Sequence, residues 1–423
     1  MHPEEVKNLR LNYTVNLFDG AFFGFGLGFA SFTTVIPLFV STMTDSAVLI
    51  GLISAVHLMG WQLPQLLTAQ SVSRMARFKP TVMWMTIHER VPFLGLALIA
   101  FFYSQLGTLP AIILTFVMLT WQGLGAGFTA NAWQNMIGKV IPSDYLATFF
   151  GMQSSALNLL ASGGAILAGA LLERQPFPNN FVVCFVIAFG LMILSYIAIG
   201  LTRESTRQTV ITRAEQRPLL ESIRKIMAND RNFDWFLLAR ATIQFGVMAF
   251  SFYTVYAATR LEAGEYAVGI VTSVLLFSQV LANPLLGWVA DRWSRKGVLE
   301  IGAVSIFISA LIAHLAPSIE WLYPAVILAG LANAASWSIT MAMTLQFGGE
   351  NDRPTYVGMA NTLIAPATIV APLLGGWLAD AHGYPSTFLL AAFAGLASAL
   401  IFHFLVKDPQ KRMEKLLEPS QAE

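Results

Sequence analysis

The sequence predicts an all-α integral membrane protein of twelve transmembrane helices, arranged as two six-helix bundles related by a pseudo-twofold axis. Three observations carry this expectation: an extreme apolar composition, a one-sided distribution of Lys and Arg, and an internal repeat. Of 423 residues 56% are apolar and 12% charged, with a mean hydropathy of +0.62; soluble domains carry roughly 25% charged residues. Twelve crossings of ~20 residues use ~240 residues. The remainder suffices for short loops and one longer link, with no room for a sizeable soluble domain.

Apolar runs between breaks of charge, Pro and Gly place the first six spans near 13–42, 47–72, 81–103, 110–138, 146–172 and 180–201. The second six lie near 233–259, 266–290, 297–316, 322–347, 355–380 and 385–406. The residues before the first span (Glu4, Glu5, Lys7, Arg10) mix charges and no small-residue cleavage pattern follows. This reads as a retained first helix and not a signal peptide. With the N-terminus inside, 21 of the 25 Lys and Arg face that side, two (Arg174 and Arg260) face the other, and Arg90 and Arg240 fall within spans. Because cationic loops stay on the cytoplasmic face, both termini and the central link are expected there. The resulting organisation is a bundle over 1–202, a cytoplasmic loop over 203–232, a second bundle over 233–406 and a cytoplasmic tail over 407–423. Within the loop, Pro218, Leu219, Leu220, Ile223, Ile226 and Met227 are spaced for one apolar helix face beginning at a proline. A helix lying along the inner membrane surface is expected.

The same composition narrows the function. A net charge of +1 supplies no basic field for nucleic acid. A single cysteine, Cys184, leaves no disulfide framework or CxxC metal site. There is no GxxxxGK[S/T] loop for a driving nucleotide and no HExxH, GxSxG or clustered Cys and His for an enzyme. No cofactor or metal is expected.

The halves read as copies. Ile50 to Arg74 aligns without a gap on Val268 to Arg292 at an offset of 218, with Gly51, Val56, Leu58, Leu63, Leu67 and Arg74 repeated. An offset of 207 pairs Gly123-Leu124 with Gly330-Leu331, Gly151-Met152 with Gly358-Met359, Gly169 with Gly376 and Glu173 with Asp380. Such repeats are a mark of carriers that rock two bundles around a site between them. One stretch is more specific. Gly287 to Lys296 reads Gly-Trp-Val-Ala-Asp-Arg-Trp-Ser-Arg-Lys, and resembles the cytoplasmic loop signature Gly-x-x-x-Asp-Arg-x-Gly-Arg-Arg/Lys of the major facilitator superfamily. Ser294 stands where that family usually has Gly. In the first half the equivalent Ala69 to Phe78 has Ser73 for the Asp and Ala76 for the Gly, while Arg74 and Arg77 remain. The resemblance implies the fold of that superfamily, an inner gate built on Arg74, Arg77, Asp291, Arg292, Arg295 and Lys296, and a central cavity lined by span one. Asp291 can accept hydrogen bonds from the N-terminus of a facing helix or from a basic side chain, and such contacts are strong and orientation-dependent. Arg292, Arg295 and Lys296 are expected in the headgroup layer.

Ionisable residues inside the membrane are costly and therefore functional candidates. Asp19 lies about 9 Å into span one at ~1.5 Å per residue, with Asn16 on the same face and a Gly20, Gly24, Gly28 stripe for close helix packing. It is the candidate proton or cation acceptor, or else an acid paired with a neighbouring helix. Arg240 lies about 10 Å into span seven, with Gln244 one turn on, and can bind a carboxylate, a phosphate or Asp19. Glu89 and Arg90 fall near the middle of span three, ~100° apart on the helix. They are expected not to face one partner, and serve either as polar contacts tying spans one to four or as a proton carrier at Glu89. Neutral candidates are Gln62 and Gln65 in span two, Asn131 in span four, and Gln279 and Asn283 in span eight, some of them interhelical glue.

The functional expectation is a secondary transporter moving a small organic solute by alternating access, with protons as the candidate coupling ion, functional as a monomer in the cell membrane. The Phe-rich first span (Phe18, Phe22, Phe23, Phe25, Phe29) favours a neutral or amphipathic solute. Efflux antiport by the same fold is one alternative. The family's Gly-Pro-x-x-Gly-Gly antiport motif is missing from span five, although Ala371 to Gly376 carries a near version in span eleven. A non-transporting receptor or assembly factor of the same fold is the other.

Overall fold

The structure is a computed structural model that describes residues 3–44, 46–206, 218–261, 265–349 and 351–409. Among the described residues all regular structure is helical, and ten helical segments are long and apolar enough to cross a membrane. The first two spans fall outside that set for physical reasons. Span one carries Asn12, Asn16 and Asp19 and is interrupted: a helix over Pro3–Phe29 is followed by turns and a short helix over Val35–Ser41. Span two breaks at Leu63-Pro64 between helices Ala47–Gln62 and Gln65–Ser73. Hydropathy averaged along a run does not register such local breaks, so the predicted spans carry no sign of them. Span seven divides likewise into Arg231–Val247 and Phe250–Thr259, and span eleven into Arg353–Thr362 and Ala365–His382. Span ten includes a π-helical turn over Ala335–Ile339, a local widening common at functional positions.

Contacts divide the chain into two compact units. One comprises residues 1–141, 156–216 and 350–362, the other 142–155, 217–349 and 363–423. Each unit is therefore mostly one half of the chain plus the start of a span from the other half: the start of span eleven joins the first unit, and the start of span five joins the second.

In the first unit an aromatic core forms where spans one, three and six converge. Phe39 packs on Phe181 and Phe185 at 5.1 and 5.4 Å between ring centroids, with Phe93 and the buried Cys184 in the same cluster. Cys184 is thus packing, as its apolar run suggests. In the second unit Phe236 lies 4.9 Å from Phe347, and Phe388 lies 5.3 Å from Tyr253. Between span seven and the helix Leu219–Asn229, residue Ile226 is buried while Leu220 and Met227 stay exposed. That helix begins after Pro218; residues 207–217 of the link and 410–423 of the tail lie outside the described residues.

The glycine stripe of span one allows the backbones of spans one and five to touch. A Cβ on Gly28 would stand 2.5 Å from the Ala161 carbonyl oxygen and 2.7 Å from Gly164 Cα, and one on Gly24 would strike Leu157. Backbone on both sides cannot yield as a flexible side chain can. Gly28→Ala should therefore destabilise the detergent-solubilised protein by about 1–3 kcal/mol, while Gly163→Ala, where a Cβ meets nothing within 4 Å, should leave the thermal midpoint unchanged. Equal midpoints for the two variants would contradict the close packing.

Candidate solute and coupling site

In the first unit Asp19, Glu89 and Arg90 come together. Arg90 Nη2 lies 3.1 Å from Asp19 Oδ1, Nη1 lies 3.3 Å from Glu89 Oε2, and the guanidinium stands over the Phe23 ring at 5.3 Å. Ser195 of span six completes the cluster, with its hydroxyl 2.5 Å from Asp19 Oδ1 and 2.7 Å from Arg90 Nη2. Arg90 and Asp19 are each only 5% exposed.

Two expectations change here. Glu89 and Arg90 do share a partner: Thr86, one turn before Arg90, donates to Glu89 Oε2 at 3.2 Å and accepts from Arg90 Nη1. Cβ directions ~100° apart did not prevent this, because a guanidinium on a long stem folds back along its own helix. The pair also ties span three to spans one and six, not to two and four. The guanidinium partner of Asp19 is Arg90, so the carboxylate is satisfied without span seven. Ser195 was missed because a lone hydroxyl in an apolar run carries no signal; Thr86, four residues before Arg90, could have been found from helical spacing.

The other candidates are placed as follows. Asn16 donates to the Thr202 hydroxyl at 3.0 Å. Arg240 is buried in the second unit, with its guanidinium over the Phe236 ring at 5.6 Å, and Gln244 donates to the Arg240 carbonyl at 3.4 Å. Gln65 is buried and its side-chain oxygen accepts from Asn361 at 2.7 Å, while Asn131 donates to the carbonyls of Gln65 and Pro354 at 2.9 Å each. Gln62 is buried, with its carbonyl accepting from Thr362. Asn283 donates to the Gln279 carbonyl and accepts from Ser338 at 2.7 Å. Of the five first-span phenylalanines, Phe29 enters the aromatic core and Phe18 is the most exposed. A further polar group stands beside the break in span one: the His57 ring stacks on Phe32 at 4.0 Å, and its Nδ1 lies 2.8 Å from Gln122 Oε1.

The residues expected at the inner gate separate into two kinds. In the second unit Asp291 accepts from the backbone N–H groups of Ala147 and Thr148 at 3.0 and 2.6 Å, at the start of span five. Arg295 lies 2.8 Å from Asp291 and also donates to the Ser143 carbonyl. At 1% exposure Arg295 is among the largest fully buried side chains, which corrects its expected place in the headgroup layer: a buried carboxylate draws the cation inward. The remaining cations turn elsewhere. Arg74 donates to its own helix at Gln70, Arg77 to Thr206, and Lys296 pairs with Glu300, while Arg292 stacks on Trp288 at 4.3 Å. The first unit has its own brace, unforeseen in the sequence. Glu204 accepts from the N–H groups of Phe78 and Lys79 at 2.9 and 2.7 Å, capping span three, and pairs with Lys139 at 2.8 Å. Among the described residues no group of three or more His, Cys, Asp or Glu could hold a metal ion.

Comparison with known proteins places these features. Multidrug resistance protein 1 of Bacillus subtilis (strain 168) is 27% identical over 154 residues, 36% of this chain and 39% of the relative. Vesicular acetylcholine transporter unc-17 of Caenorhabditis elegans is 32% identical over 149 residues, 35% of this chain and 28% of the relative. The matched stretches thus span well under half of either relative. Among solved structures, the E. coli fucose:proton symporter superposes with a TM-score of 0.76 at 14% identity over 93% of this chain and 98% of that one. A bacterial homologue of the iron transporter ferroportin gives 0.74 at 14% identity over 92% and 98%. These likenesses show the fold. The profile of the Major Facilitator Superfamily matches residues 80–264 and 255–421, and with both repeats covered the chain belongs to that superfamily.

Proposed function

We propose that the chain is a secondary transporter that moves a small organic solute by alternating access, with proton movement coupled through the Asp19–Arg90–Glu89 cluster. The observation that carries this is the cluster itself: two carboxylates held against one guanidinium in the interior of a membrane bundle. Buried charge is expensive unless neutralised, and this set is neutral when one carboxyl holds a proton. A carrier that binds and releases that proton at different points of its cycle has a coupling device; a purely structural pair has no use for the second acid. The names of similar proteins, which include a fucose:proton symporter, a multidrug resistance protein and vesicular acetylcholine transporters, support a small organic solute. The solute contacts assigned in this reading are Arg240 and Gln244 of span seven. Cell-membrane location and action as a monomer belong to the same reading, as do cytoplasmic termini, which the one-sided distribution of Lys and Arg supports.

Two measurements test it. In proteoliposomes loaded with candidate solutes, an imposed proton gradient should drive accumulation by the native chain. Asp19→Asn or Glu89→Gln should abolish accumulation and spare solute exchange, since exchange needs binding and rocking but no net proton movement. Gradient-driven accumulation surviving in both variants would place coupling elsewhere, and no flux of any solute would favour the receptor reading.

The second measurement concerns the cluster's stability. Arg90→Gln strands two acids, whereas Asp19→Asn leaves Arg90 with Glu89, so the arginine variant should be the less stable, by up to about 3–5 kcal/mol relative to the native chain. The double variant should lose less than the sum of the singles. Additive losses in detergent melts would show that the two side chains do not share one site.

A further inference from the structure

The two repeats make corresponding contacts at the starts of spans five and eleven, and the correspondence can be followed residue by residue. Ser155 donates to the Val280 carbonyl at 2.7 Å, and Thr362 donates to the Gln62 carbonyl at 3.0 Å. Gly151 is pressed against the Asn283 carbonyl, and Gly358 lies where a Cβ would stand 3.0 Å from the Gln65 carbonyl. Each of these pairs obeys the sequence offsets of 207 for spans five and eleven and 218 for spans two and eight. The packing of span five on span eight is thus reproduced by span eleven on span two.

Carried one further step, the same offsets reach a place where the copies differ on both sides of the contact. Asp291 corresponds to Ser73, and the donor Ala147 corresponds to Pro354, which has no N–H. The second donor, Thr148, corresponds to Thr355, whose N–H is spent on the Asp352 carbonyl at 2.8 Å. The charged acceptor and the first backbone donor are therefore both absent from this copy. The cation follows: Arg295, buried against Asp291, corresponds to Arg77, which is exposed and donates to Thr206. At the start of span eleven the structure shows neutral hydrogen bonds in that place: Asn131 donates to the Pro354 carbonyl, Asn361 to the Gln65 side-chain oxygen and Thr362 to the Gln62 carbonyl. The helices differ as well. Spans five and eight run unbroken over Leu146–Arg174 and Glu265–Arg292, whereas spans two and eleven are each interrupted near this contact, at Leu63-Pro64 and Leu363-Ile364.

We propose that the two contacts are held by different means: spans five and eight by a charge-assisted cap on Asp291, and spans two and eleven by the neutral hydrogen bonds of Asn131, Asn361 and Thr362 in place of such a cap, with Ser73 and Pro354 as the positioning residues that keep the second contact the easier to part. A hydrogen bond to a charged group outweighs a neutral one severalfold in equilibrium terms. The inference rests on the transport reading only for its consequence, that opening at this end is asymmetric. Its test needs no solute, so it can fail while transport stands, or hold where transport fails.

The test uses nitroxide pairs on engineered cysteines across spans five and eight and across spans two and eleven; native Cys184, at 0% exposure, stays unlabelled. Asp291→Asn should raise the parted population of the five–eight pair about ten- to a hundredfold, and Asn131→Ala that of the two–eleven pair about two- to tenfold. Ser73→Asp alone and Pro354→Ala alone should each change the two–eleven distances little. Together they should lower its parted population about tenfold, because only the double variant supplies both acceptor and donor. A single variant as effective as the double would overturn the proposal. So would an Asp291→Asn shift no larger than that of Asn131→Ala, a comparison that decides the matter even if the double variant does not fold.

Discussion

A guanidinium in a medium without water must be met by anions, and in the first unit Arg90 is met by Asp19 and Glu89. Moving an unpaired ion into such surroundings costs several kcal/mol, so the helices around Arg90 are held by the need to keep Asp19, Glu89 and Ser195 within reach. Span one is brought against spans three and six by this cluster. Its opposite side is free to press on span five, where Gly24 and Gly28 remove the side chains that would hold the backbones apart. One charge and two missing Cβ atoms thus fix the position of a helix whose own sequence is too polar to count among the chain's strongest membrane segments.

The repeat acts as a second constraint. Duplicated halves inherit the same backbone approach, visible in the paired glycines and hydroxyls of spans five and eleven, and the interruptions of spans one and seven fall at matching places, after Phe29 and Val247. Irregular backbone at membrane depth is tolerated where protein or a cavity satisfies it. Beside the break in span one, the Phe32 carbonyl accepts from Ser54, and His57 stacks on the Phe32 ring. Shape is conserved between the copies more closely than charge: Asp291 has the neutral Ser73 as its counterpart, and Arg77, the counterpart of Arg295, donates to Thr206 instead of to an acid.

Most of the fold was legible because hydrophobic length and cation bias are summed over many residues, and errors at single positions cancel. Predicted spans such as 81–103 and 180–201 differ by only one or two residues at each end from the helices Lys79–Phe101 and Asn179–Gly200. The interruptions were not legible, since a two-residue break at Leu63-Pro64 leaves the local hydropathy almost unchanged. At the candidate site the charged members stood out by rarity alone, and Asp19, Glu89 and Arg90 were named from that. How they meet was hidden, because it depends on the reach of a flexible arginine and on Ser195, more than a hundred residues away in the chain. Arg295 was misplaced for the same reason: a cation at a helix end reads as a surface charge unless the carboxylate beside it is known to be buried.

The polar contacts can be sorted by what a rocking motion would ask of them. The Arg90 cluster joins spans one, three and six, all from the same half of the chain, so its contacts could persist through a relative motion of the halves. The contacts at the starts of spans five and eleven join opposite halves of the chain, and a rocking motion of the halves would have to break them. Strong interactions suit the first class without restriction, because nothing needs to undo them. In the second class strength is a barrier, and a carrier with two capped contacts would have to release both at once. With Ser73 and Pro354 in place of one cap, the cost of such a motion would rest chiefly on Asp291, where one carboxylate meets two backbone donors and one arginine.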